Sequence, residues 1–584
     1  MASAFTVEDA HLDTTALRTS GGTGAKRRVS GLFLLPVTWV ILGILVLAPA
    51  GFVVLSSVLA DPTNPAAGFS LQAIKEVFAT PSMLVKLLQT VVFAVAIAAI
   101  TTVIATLLSW STTRLAMRGA RIRETLIVAS LYLSPFIAAV AWIWLGTRGT
   151  GLIDKWEQSV GIPGFLQPDI MSVGGMVFIL VTHYVPYAYM FISSSMAGLD
   201  TTLEEASLVN GRGYFATSLR VSFPMLRPAI LSAGLFVAIL AMGEFTVPSL
   251  LGQTGAFTPL SSTIYNALNG AVQNIPLAGA ISTELLIVCL AGLYLYQRSI
   301  RASSRYTAVS GKGRRSDRIR LSRATSAIVW ILTLIYGVFA FLLPLATLVV
   351  MSLAKFLAPS LADMKFSAEN LWQTLTSSET LSALGNSLIL ALVVPIVCIA
   401  LGILIVYLSD RARLPTSRAM TYVATAPMAL PGLVIALGVL LLYIRTPLYL
   451  TLGIIVIGLV AISLTHAVRV VSNGFGQIDA SLEEASQVTG ASRLRTVLLV
   501  LVPLIRPSLY AAFSLLFVLT LRELNIPVLL YAPDTETLSV VAWNFSESSI
   551  TGAAAIGLLQ VVVMLIGMGL LRLIIMPPIR RKLA

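Results

Sequence analysis

The chain contains the same polar segment twice, once in each half of its length. Residues 199–228 and 478–507 align without a gap, and 14 of the 30 aligned positions are identical. Each copy reads Asp-x-x-Leu-Glu-Glu-Ala-Ser-x-Val-x-Gly, and each continues with Pro-x-x-Arg-Pro at the same distance. Such a repeat indicates an internal duplication. We therefore expect two related halves, each presenting one site to the same kind of partner.

Composition places the chain in a bilayer. Of its 584 residues, 57% are hydrophobic and only 11% are charged, whereas soluble domains carry about 25% charged residues. The net charge is +13, but the basic residues lie in short loops between apolar runs. This distribution is typical of membrane topology, with positive loops on the cytoplasmic side, and not of a nucleic-acid partner.

Twelve segments are long and apolar enough to cross a bilayer, six in each half. We number them spans 1–12. In the first half they are predicted at 32–57, 85–109, 125–145, 172–197, 229–252 and 276–297. In the second half they are predicted at 325–353, 384–408, 419–445, 449–472, 508–531 and 549–573. An even number of spans separates the two motif copies, so both lie on one side and the repeats are parallel. The predicted fold is an all-α polytopic membrane protein with about 12 transmembrane helices in two parallel repeats of six.

Lysine and arginine bias predicts the orientation. Basic clusters precede span 1, separate spans 2 and 3, fill the segment between the halves and end the chain, all on one face of this topology. We therefore expect that face, with both termini, to be cytoplasmic. The predicted division is a tail (1–30), a first repeat (31–297), a linker (298–324), a second repeat (325–574) and a tail (575–584). The linker is basic and contains Gly and Ser, so we expect it to be flexible.

Each motif copy lies in the cytoplasmic loop between the fourth and fifth spans of its half. Thr202-x-x-Glu205 and Ser481-x-x-Glu484 fit a capping box, which predicts a short helix beginning directly after a span. Acidic residues in its first turn suit the positive end of the helix dipole. The alternative is a capped surface helix that binds nothing. The identical spacing through Pro224 and Pro503 disfavours that alternative, because capping alone does not require it.

The interior and the end of each short helix are also predicted. Ala206 and Ala485 are small enough for close approach by another surface. Gly211 and Gly490 follow at the position where a helix can end in a left-handed residue.

This pattern, Glu-Ala-Ser-x-x-x-Gly followed by Pro, resembles the coupling-helix motif of membrane subunits of binding-protein-dependent ATP-binding-cassette importers. The family usually has Ala in the third position, where both copies have Ser. The resemblance implies a type I permease fold, two copies of an ATPase subunit docked on the cytoplasmic face, an extracytoplasmic solute-binding protein, and a bacterial cytoplasmic membrane. The coupling residues it implies are Glu204, Glu205, Ala206, Gly211, Glu483, Glu484, Ala485 and Gly490.

A proline-rich segment also resembles this family. Pro427 and Pro431, in span 9, match the proline-rich segment of a pore-lining permease helix, and Pro135 in span 3 is the weaker counterpart. We expect these prolines to line the translocation path.

Two acids occupy equivalent positions in the halves. Glu244 and Glu523 each lie four residues before a proline, within predicted spans 5 and 11. A carboxylate in a span is costly in lipid, so each should face the translocation path or make a structural hydrogen bond. Arg522 is a candidate partner for Glu523.

Several functions are disfavoured by missing patterns. The chain lacks G-x-x-x-x-G-K-[ST], so ATP hydrolysis would require a partner. His183, His466, Cys289 and Cys398 have no metal-ligand spacing, and we expect neither a metal nor a cofactor. A secondary transporter of six plus six spans is the remaining alternative, but the loop after span 2 lacks the acidic residue such carriers usually have there.

The sequence says less about the cargo. Two permease halves in one chain resemble importers of ferric iron, thiamine and aminoethylphosphonate, and the segment from Leu521 to Tyr531 most resembles the ferric-iron type. In this family much of the selectivity resides in the separate binding protein.

Overall fold

The structure, a computed structural model, describes residues 34–161, 169–199, 202–252, 257–303, 322–357, 364–411 and 416–575. Within these ranges, nine helices are long and apolar enough to cross a membrane, and three pairs of shorter helices join at sharp bends, which gives up to twelve spans. The continuous spans are Leu34–Ser56, Pro81–Thr113, Val173–Ala197, Tyr214–Met242, Ile275–Ser299, Arg323–Leu353, Ser378–Arg411, Leu452–Gly476 and Ile550–Leu573. The all-α polytopic prediction is confirmed.

Spans 3 and 9 are broken, although the sequence predicted continuous helices. Span 3 consists of Ala120–Tyr132 and Pro135–Gly146 at 94°, and span 9 of Ala419–Ala429 and Gly432–Tyr443 at 111°. Leu133 and Leu430 have extended backbone at the two breaks. A proline lies at or next to each break, and it disfavours helical conformation in the residue before it while removing a donor N–H.

Spans 5 and 11 differ from their predicted bounds. Span 5 is Tyr214–Met242, and span 11 is Arg493–Leu504 joined to Arg506–Arg522 at 77°. Both end before the acidic residues, so the prediction that Glu244 and Glu523 lie inside spans is wrong. Short helices follow them, at Thr246–Leu251 and Leu260–Asn269 in the first half and at Pro527–Leu530 and Leu538–Ser548 in the second. Other short helices are Gln72–Ala79, Leu152–Val160 and Ala368–Thr376.

The prolines of the motif widen the helices that follow it. A π-helical turn at Ser218–Ser222 precedes Pro224, and one at Val497–Leu501 precedes Pro503. Proline supplies no N–H and its ring crowds the carbonyl four residues earlier, which favours a wider turn there. The downstream prolines of the repeat therefore have a structural role of their own.

The offset between the halves changes along the chain. Helices up to span 3 match with an offset of 297, as for Pro135–Gly146 and Gly432–Tyr443, whereas spans 4 and 5 match spans 10 and 11 with 279, as for Val173–Ala197 and Leu452–Gly476. After span 5 the offset is 278 for the helices that begin at Leu260 and Leu538, and 275 for those that begin at Ile275 and Ile550. The largest change of offset therefore falls between spans 3 and 4. That connection is longer in the first half, where it runs from 147 to 172 and includes helix Leu152–Val160, than in the second, where it runs from 444 to 451.

The halves interlock through their first spans. Span 1 packs against span 9, and span 7 packs against span 3. Gly438 of span 9 lies so close to span 1 that a Cβ there would be 2.3 Å from the Pro49 carbonyl oxygen. On the other side, the Tyr336 hydroxyl of span 7 donates to the Thr182 carbonyl at 2.9 Å. Each half therefore completes the packing of the other.

Most of the predicted linker and both tails lie outside the described residues. The last helix of the first half continues to Ser303, beyond the predicted boundary at 297. Residues 1–33, 304–321 and 576–584 are not described. The predicted flexibility of the linker concerns these residues and stays a prediction.

Candidate functional site

The two motif copies form short helices at Thr202–Val209 and Ala480–Val488, which we call the first and second motif helices. The capping-box prediction is wrong in its register for the second copy. Asp479, not Ser481, is the N-cap of the second motif helix, and its carboxylate accepts from the Ser481 N–H at 2.9 Å. That hydrogen bond lowers the pKa of Asp479. In the first copy the residue before Thr202 is not described, so the capping box of Thr202 and Glu205 stays a prediction.

Both motif helices end as predicted, in a left-handed glycine. The φ angles of Gly211 and Gly490 are 78° and 90°. Around Gly211, the Arg212 N–H donates to the Ser207 carbonyl at 3.3 Å and the Gly211 N–H donates to the Leu208 carbonyl at 2.9 Å. The equivalent bonds of the second copy are Ala491 to Ser486 at 3.2 Å and Gly490 to Gln487 at 3.0 Å. This pair of bonds is the Schellman motif, which requires the left-handed residue.

The serine that departs from the family pattern has a partner in each copy. The Ser207 hydroxyl lies 2.9 Å from the Thr217 hydroxyl, and the Ser486 hydroxyl lies 3.0 Å from the Thr496 hydroxyl. Thr217 and Thr496 occupy equivalent positions in the two copies, and both are buried. An alanine could not make this bond, so the serine fixes each motif helix to the helix that follows it.

The first glutamate of each motif helix faces the body of the protein. Glu204 forms an ion pair with Arg114 at 3.1 Å and accepts from the Ser222 hydroxyl at 2.7 Å. Glu483 accepts from the Tyr407 hydroxyl at 3.3 Å. Burial lowers the pKa of Arg114, which lies just beyond span 2, and the negative charge of Glu204 opposes that shift. These glutamates hold the motif helices to the nearby ends of spans 2 and 8.

The second glutamate and its alanine face outward. Glu205, Ala206, Glu484 and Ala485 are all exposed. Beside them each copy exposes three large apolar side chains. These are Leu203, Val209 and Phe215 in the first half and Leu482, Val488 and Leu494 in the second. Val209 and Val488 are both 87% exposed. Exposed apolar side chains that recur at equivalent positions are typical of a binding surface.

The residues predicted to line the translocation path surround one cavity. This central cavity has a volume of about 150 Å³, and Pro135, Glu244, Pro427, Pro431 and Glu523 all line it. Its wall draws on spans 3, 4, 5, 9, 10 and 11, and so on both halves. It also includes polar side chains that the sequence analysis did not assign to it: His183, Tyr184, Tyr187, His466, Thr520, Arg522 and Asn525.

The two acids close the turns that follow spans 5 and 11. Glu244 accepts from the Thr246 N–H at 3.0 Å, and Glu523 accepts from the Asn525 N–H at 3.1 Å. Glu244 also accepts from the Tyr184 hydroxyl of span 4 at 3.1 Å. The two interpretations of these acids are therefore compatible, since each makes a structural hydrogen bond and also borders the cavity.

Arg522 crosses from the second half to the first. It donates to the Leu131 carbonyl at 2.9 Å and to the Tyr187 hydroxyl, and its guanidinium lies 5.7 Å from the centre of the Tyr187 ring. It forms no ion pair with Glu523, although both lie within the described residues, so that suggested pairing is wrong. Its equivalent in the first half is Gly243, where a Cβ would be 2.9 Å from Pro431 Cβ.

The offset of 279 would have located more of the cavity. It relates Tyr187 to His466 and His183 to Ile462, and all four line the cavity. The two histidines are therefore not equivalent to each other. The position equivalent to each histidine holds a different residue, which also lines the cavity. Among the described residues, no group of three or more His, Cys, Asp or Glu side chains could hold a metal ion.

Comparison with known proteins gives consistent relatives. The chain is 26% identical over 464 residues to the ferric transport system permease protein FbpB of Actinobacillus pleuropneumoniae. This alignment covers 78% of this chain and 66% of that protein. It is 25% identical over 445 residues to a putative ferric transport system permease protein of Haemophilus influenzae, covering 74% and 67%. The chain thus spans about two thirds of the length of each of these two relatives. Over 197 residues it is 26% identical to the sn-glycerol-3-phosphate transport system permease protein UgpA of Yersinia enterocolitica, covering 32% and 66%.

One family profile matches the chain twice. Residues 118–300 and 402–581 both match the family described as the binding-protein-dependent transport system inner membrane component. Each match contains one motif helix and its share of the cavity wall. The chain therefore belongs to this family of inner membrane transport components and carries its domain twice, in two fused halves.

Proposed function

We propose that this chain is the permease of an ATP-driven importer that carries ferric iron across the cytoplasmic membrane. An extracytoplasmic binding protein delivers the cargo, and two copies of a separate ATPase subunit dock on the motif helices. The halves are the repeats 31–297 and 325–574, joined by the linker 298–324, with both tails, 1–30 and 575–584, on the cytoplasmic side. Cargo passes along the wall formed by Pro135, Glu244, Pro427, Pro431 and Glu523.

The observation that carries this proposal is the duplicated outward surface of the motif helices. Glu205, Ala206, Glu484 and Ala485 are exposed at equivalent positions, between apolar side chains that are exposed to a similar extent in both copies. The helices are held by a Schellman end, a hydroxyl pair and an inward glutamate. A rigid helix of this kind can transmit movement of a docked subunit to the spans beside it.

Ferric iron is proposed because of the relatives named as ferric transport permeases, which match most of the chain. The UgpA match covers about one repeat only. Thiamine, aminoethylphosphonate and sn-glycerol-3-phosphate are therefore the competing cargoes.

Two measurements test the proposal. Co-expression with the cognate ATPase should give a complex whose native mass corresponds to one permease chain and two ATPase chains. Cells that depend on this system should take up radiolabelled ferric iron, and this uptake should stop when the ATPase carries a substitution in its own nucleotide site. Uptake that persists without a functional ATPase would favour the secondary-transporter alternative. Uptake of sn-glycerol-3-phosphate or thiamine instead of iron would reject the cargo alone.

A further inference from the structure

We propose that four aromatic side chains, Phe136, Phe245, Tyr265 and Trp543, form the gate that closes the central cavity toward the extracytoplasmic face. We call them the aromatic cluster. Its description as a gate for cargo rests on the proposed function, whereas its position and closure are tested below without reference to transport.

The cluster is compact and drawn from both halves. The ring centroids of Phe245 and Tyr265 lie 5.1 Å apart, those of Phe136 and Trp543 5.3 Å apart, and those of Phe245 and Trp543 5.7 Å apart. Phe136 and Phe245 are buried, with exposed fractions of 2% and 0%. Rings at these separations are in direct contact.

The centre of the cluster is a contact between equivalent residues. Helices Leu260–Asn269 and Leu538–Ser548 occupy the same place in their halves, and each begins with the same hydrogen bond. The Leu260 N–H donates to the Thr90 hydroxyl at 3.0 Å, and the Leu538 N–H donates to the Ser387 hydroxyl at 2.9 Å. In that register, with a local offset of 278, Tyr265 corresponds to Trp543. The Trp543 Nε1–H donates to the Tyr265 hydroxyl at 3.2 Å.

Residues that contact their own equivalents lie at the axis relating two repeats. For a permease with parallel halves, that axis runs along the membrane normal, where the translocation path also lies. The Tyr265–Trp543 contact is therefore on the path and joins the two halves across it. Separation of the halves on this side must break the contact.

The cluster borders the cavity on the side away from the motif helices. Phe136 lines the cavity and is the second residue of the second segment of span 3, which packs against Leu343–Leu353, the second part of span 7. In the predicted topology spans 3 and 7 both begin on the side of the motif helices, so these second parts lie toward the opposite side. Phe245 lies between Glu244 and Thr246, which both line the cavity. Tyr265 and Trp543 lie on the short helices that connect spans 5 to 6 and 11 to 12, at the end opposite the motifs. The cavity therefore lies between the cluster and the cytoplasmic half of the molecule.

A cysteine placed in the cavity can report this closure. Thr520 lines the cavity, is 6% exposed and has a hydroxyl without a hydrogen-bond partner in the described part of the chain, so Thr520→Cys removes no bond. The background carries Cys289→Ala and Cys398→Ala, so that the introduced cysteine alone can react with the probe. Both native cysteines are buried. The probe is a small, charged, membrane-impermeant methanethiosulfonate, added without ATP to the extracytoplasmic side of right-side-out vesicles that contain the full chain.

We expect slow labelling of Thr520→Cys when the cluster is intact. Trp543→Ala should raise the labelling rate severalfold. Trp372→Ala is the matched control, since Trp372 is an exposed tryptophan of helix Ala368–Thr376 outside the cluster, and it should leave the rate unchanged. The double variant Tyr265→Phe with Trp543→Phe keeps both hydrophobic rings and removes the hydrogen bond. Its labelling rate should lie between those of the intact cluster and Trp543→Ala, and this variant carries the test if Trp543→Ala fails to accumulate.

Two results would overturn the proposal. One is rapid external labelling of Thr520→Cys with the cluster intact. The other is an unchanged rate in both the Trp543→Ala and the double phenylalanine variants. Because the assay needs neither ATP nor the ATPase, the absence of ferric-iron transport would reject the proposed function and leave the labelling result valid.

Discussion

The guanidinium of Arg522 donates a hydrogen bond of 2.9 Å to the carbonyl of Leu131, in the opposite half of the chain. In an unbroken helix this carbonyl would accept from the residue four positions later. That residue is Pro135, which has no N–H, and the helix is broken before it. The arginine of one half therefore satisfies a backbone acceptor that the proline of the other half leaves without its usual donor.

This relationship predicts the effect of losing the arginine. Arg522→Ala should lower the free energy of unfolding by about 1–3 kcal/mol, because the buried Leu131 carbonyl loses its donor. Tyr187→Phe removes only the second contact of the guanidinium and should cost less, about 0.5–1.5 kcal/mol. Thermal unfolding of the purified variants in detergent measures both. Arg220→Ala, an exposed arginine, serves as the control and should fall within about 0.5 kcal/mol of the parent. Equal stability of Arg522→Ala and the control would contradict this account.

The left-handed glycines predict a local defect with an intact membrane domain. Gly211→Val or Gly490→Val should distort the end of a motif helix, since a left-handed conformation costs a residue with a side chain about 1–2 kcal/mol, and more when it is β-branched. A Cβ at either position would meet no atom within 4 Å, so the effect arises from the backbone alone. Membrane levels should remain normal, while ATPase co-purification and transport fall. Gly213→Val is the matched control, because Gly213 has a φ of −68°, which valine adopts readily.

Substitutions at the two glutamates of each motif helix should have different effects, one on protein stability and the other on ATPase docking. Glu204→Gln leaves the buried charge of Arg114 unpaired and should destabilise the protein by roughly 1–3 kcal/mol. Glu484→Lys changes an exposed side chain and should leave thermal stability nearly unchanged, while both Glu484→Lys and Glu205→Lys should reduce the amount of ATPase that co-purifies. Measuring both quantities on each variant checks this division. If Glu204→Gln weakened docking without any loss of stability, the inward role assigned to Glu204 would be wrong.

The interlocked first spans predict that the linker can be cut. Expression of residues 1–310 and 311–584 as separate chains should give two pieces that co-purify and retain most of the transport. Span 1 packs against span 9 and span 7 against span 3, so spans of the two halves hold each other directly. Gly438→Leu should separate the pieces, because it places a large side chain against Pro49, where even a Cβ would be 2.3 Å from the carbonyl oxygen. Loss of transport from the split chain, with both pieces present and associated, would assign the linker a role in the mechanism.

The sequence predicted the surface features of this fold better than its interior. The doubled motif predicted two short helices with left-handed ends, because Gly211 and Gly490 act through local backbone geometry that neighbouring residues determine. The five residues predicted to line the path do surround one cavity, since the prolines were chosen by resemblance to a pore-lining segment and the acids because a carboxylate is costly in lipid. The capping prediction failed in its register in the second copy, because Asp479 and Ser481 can both accept from a nearby N–H and composition does not choose between them.

The bends and long-range contacts could not be predicted in this way. Hydropathy reports that residues 419–445 are apolar but not that the helix turns by 111° at Leu430. The ends of spans 5 and 11 were misplaced because the apolar pattern continues past Gly243 and Arg522 into the short helices that follow. Arg522 was paired with Glu523 because they are neighbours in sequence, whereas its partners, Leu131 and Tyr187, belong to the other half of the chain.

Equivalent positions of the two halves hold different residues beside the translocation path, and a homodimer could not have this arrangement. In a homodimer, a residue beside the two-fold axis always appears twice, so a single arginine there is impossible and two would repel each other. A residue on the axis must also meet an identical copy of itself, and two indole N–H groups have no acceptor between them. This single chain has Gly243 opposite Arg522 and Tyr265 opposite Trp543, which gives one cation and one matched donor–acceptor pair. Fusion into one polypeptide thus allows an asymmetric interior inside a symmetric frame.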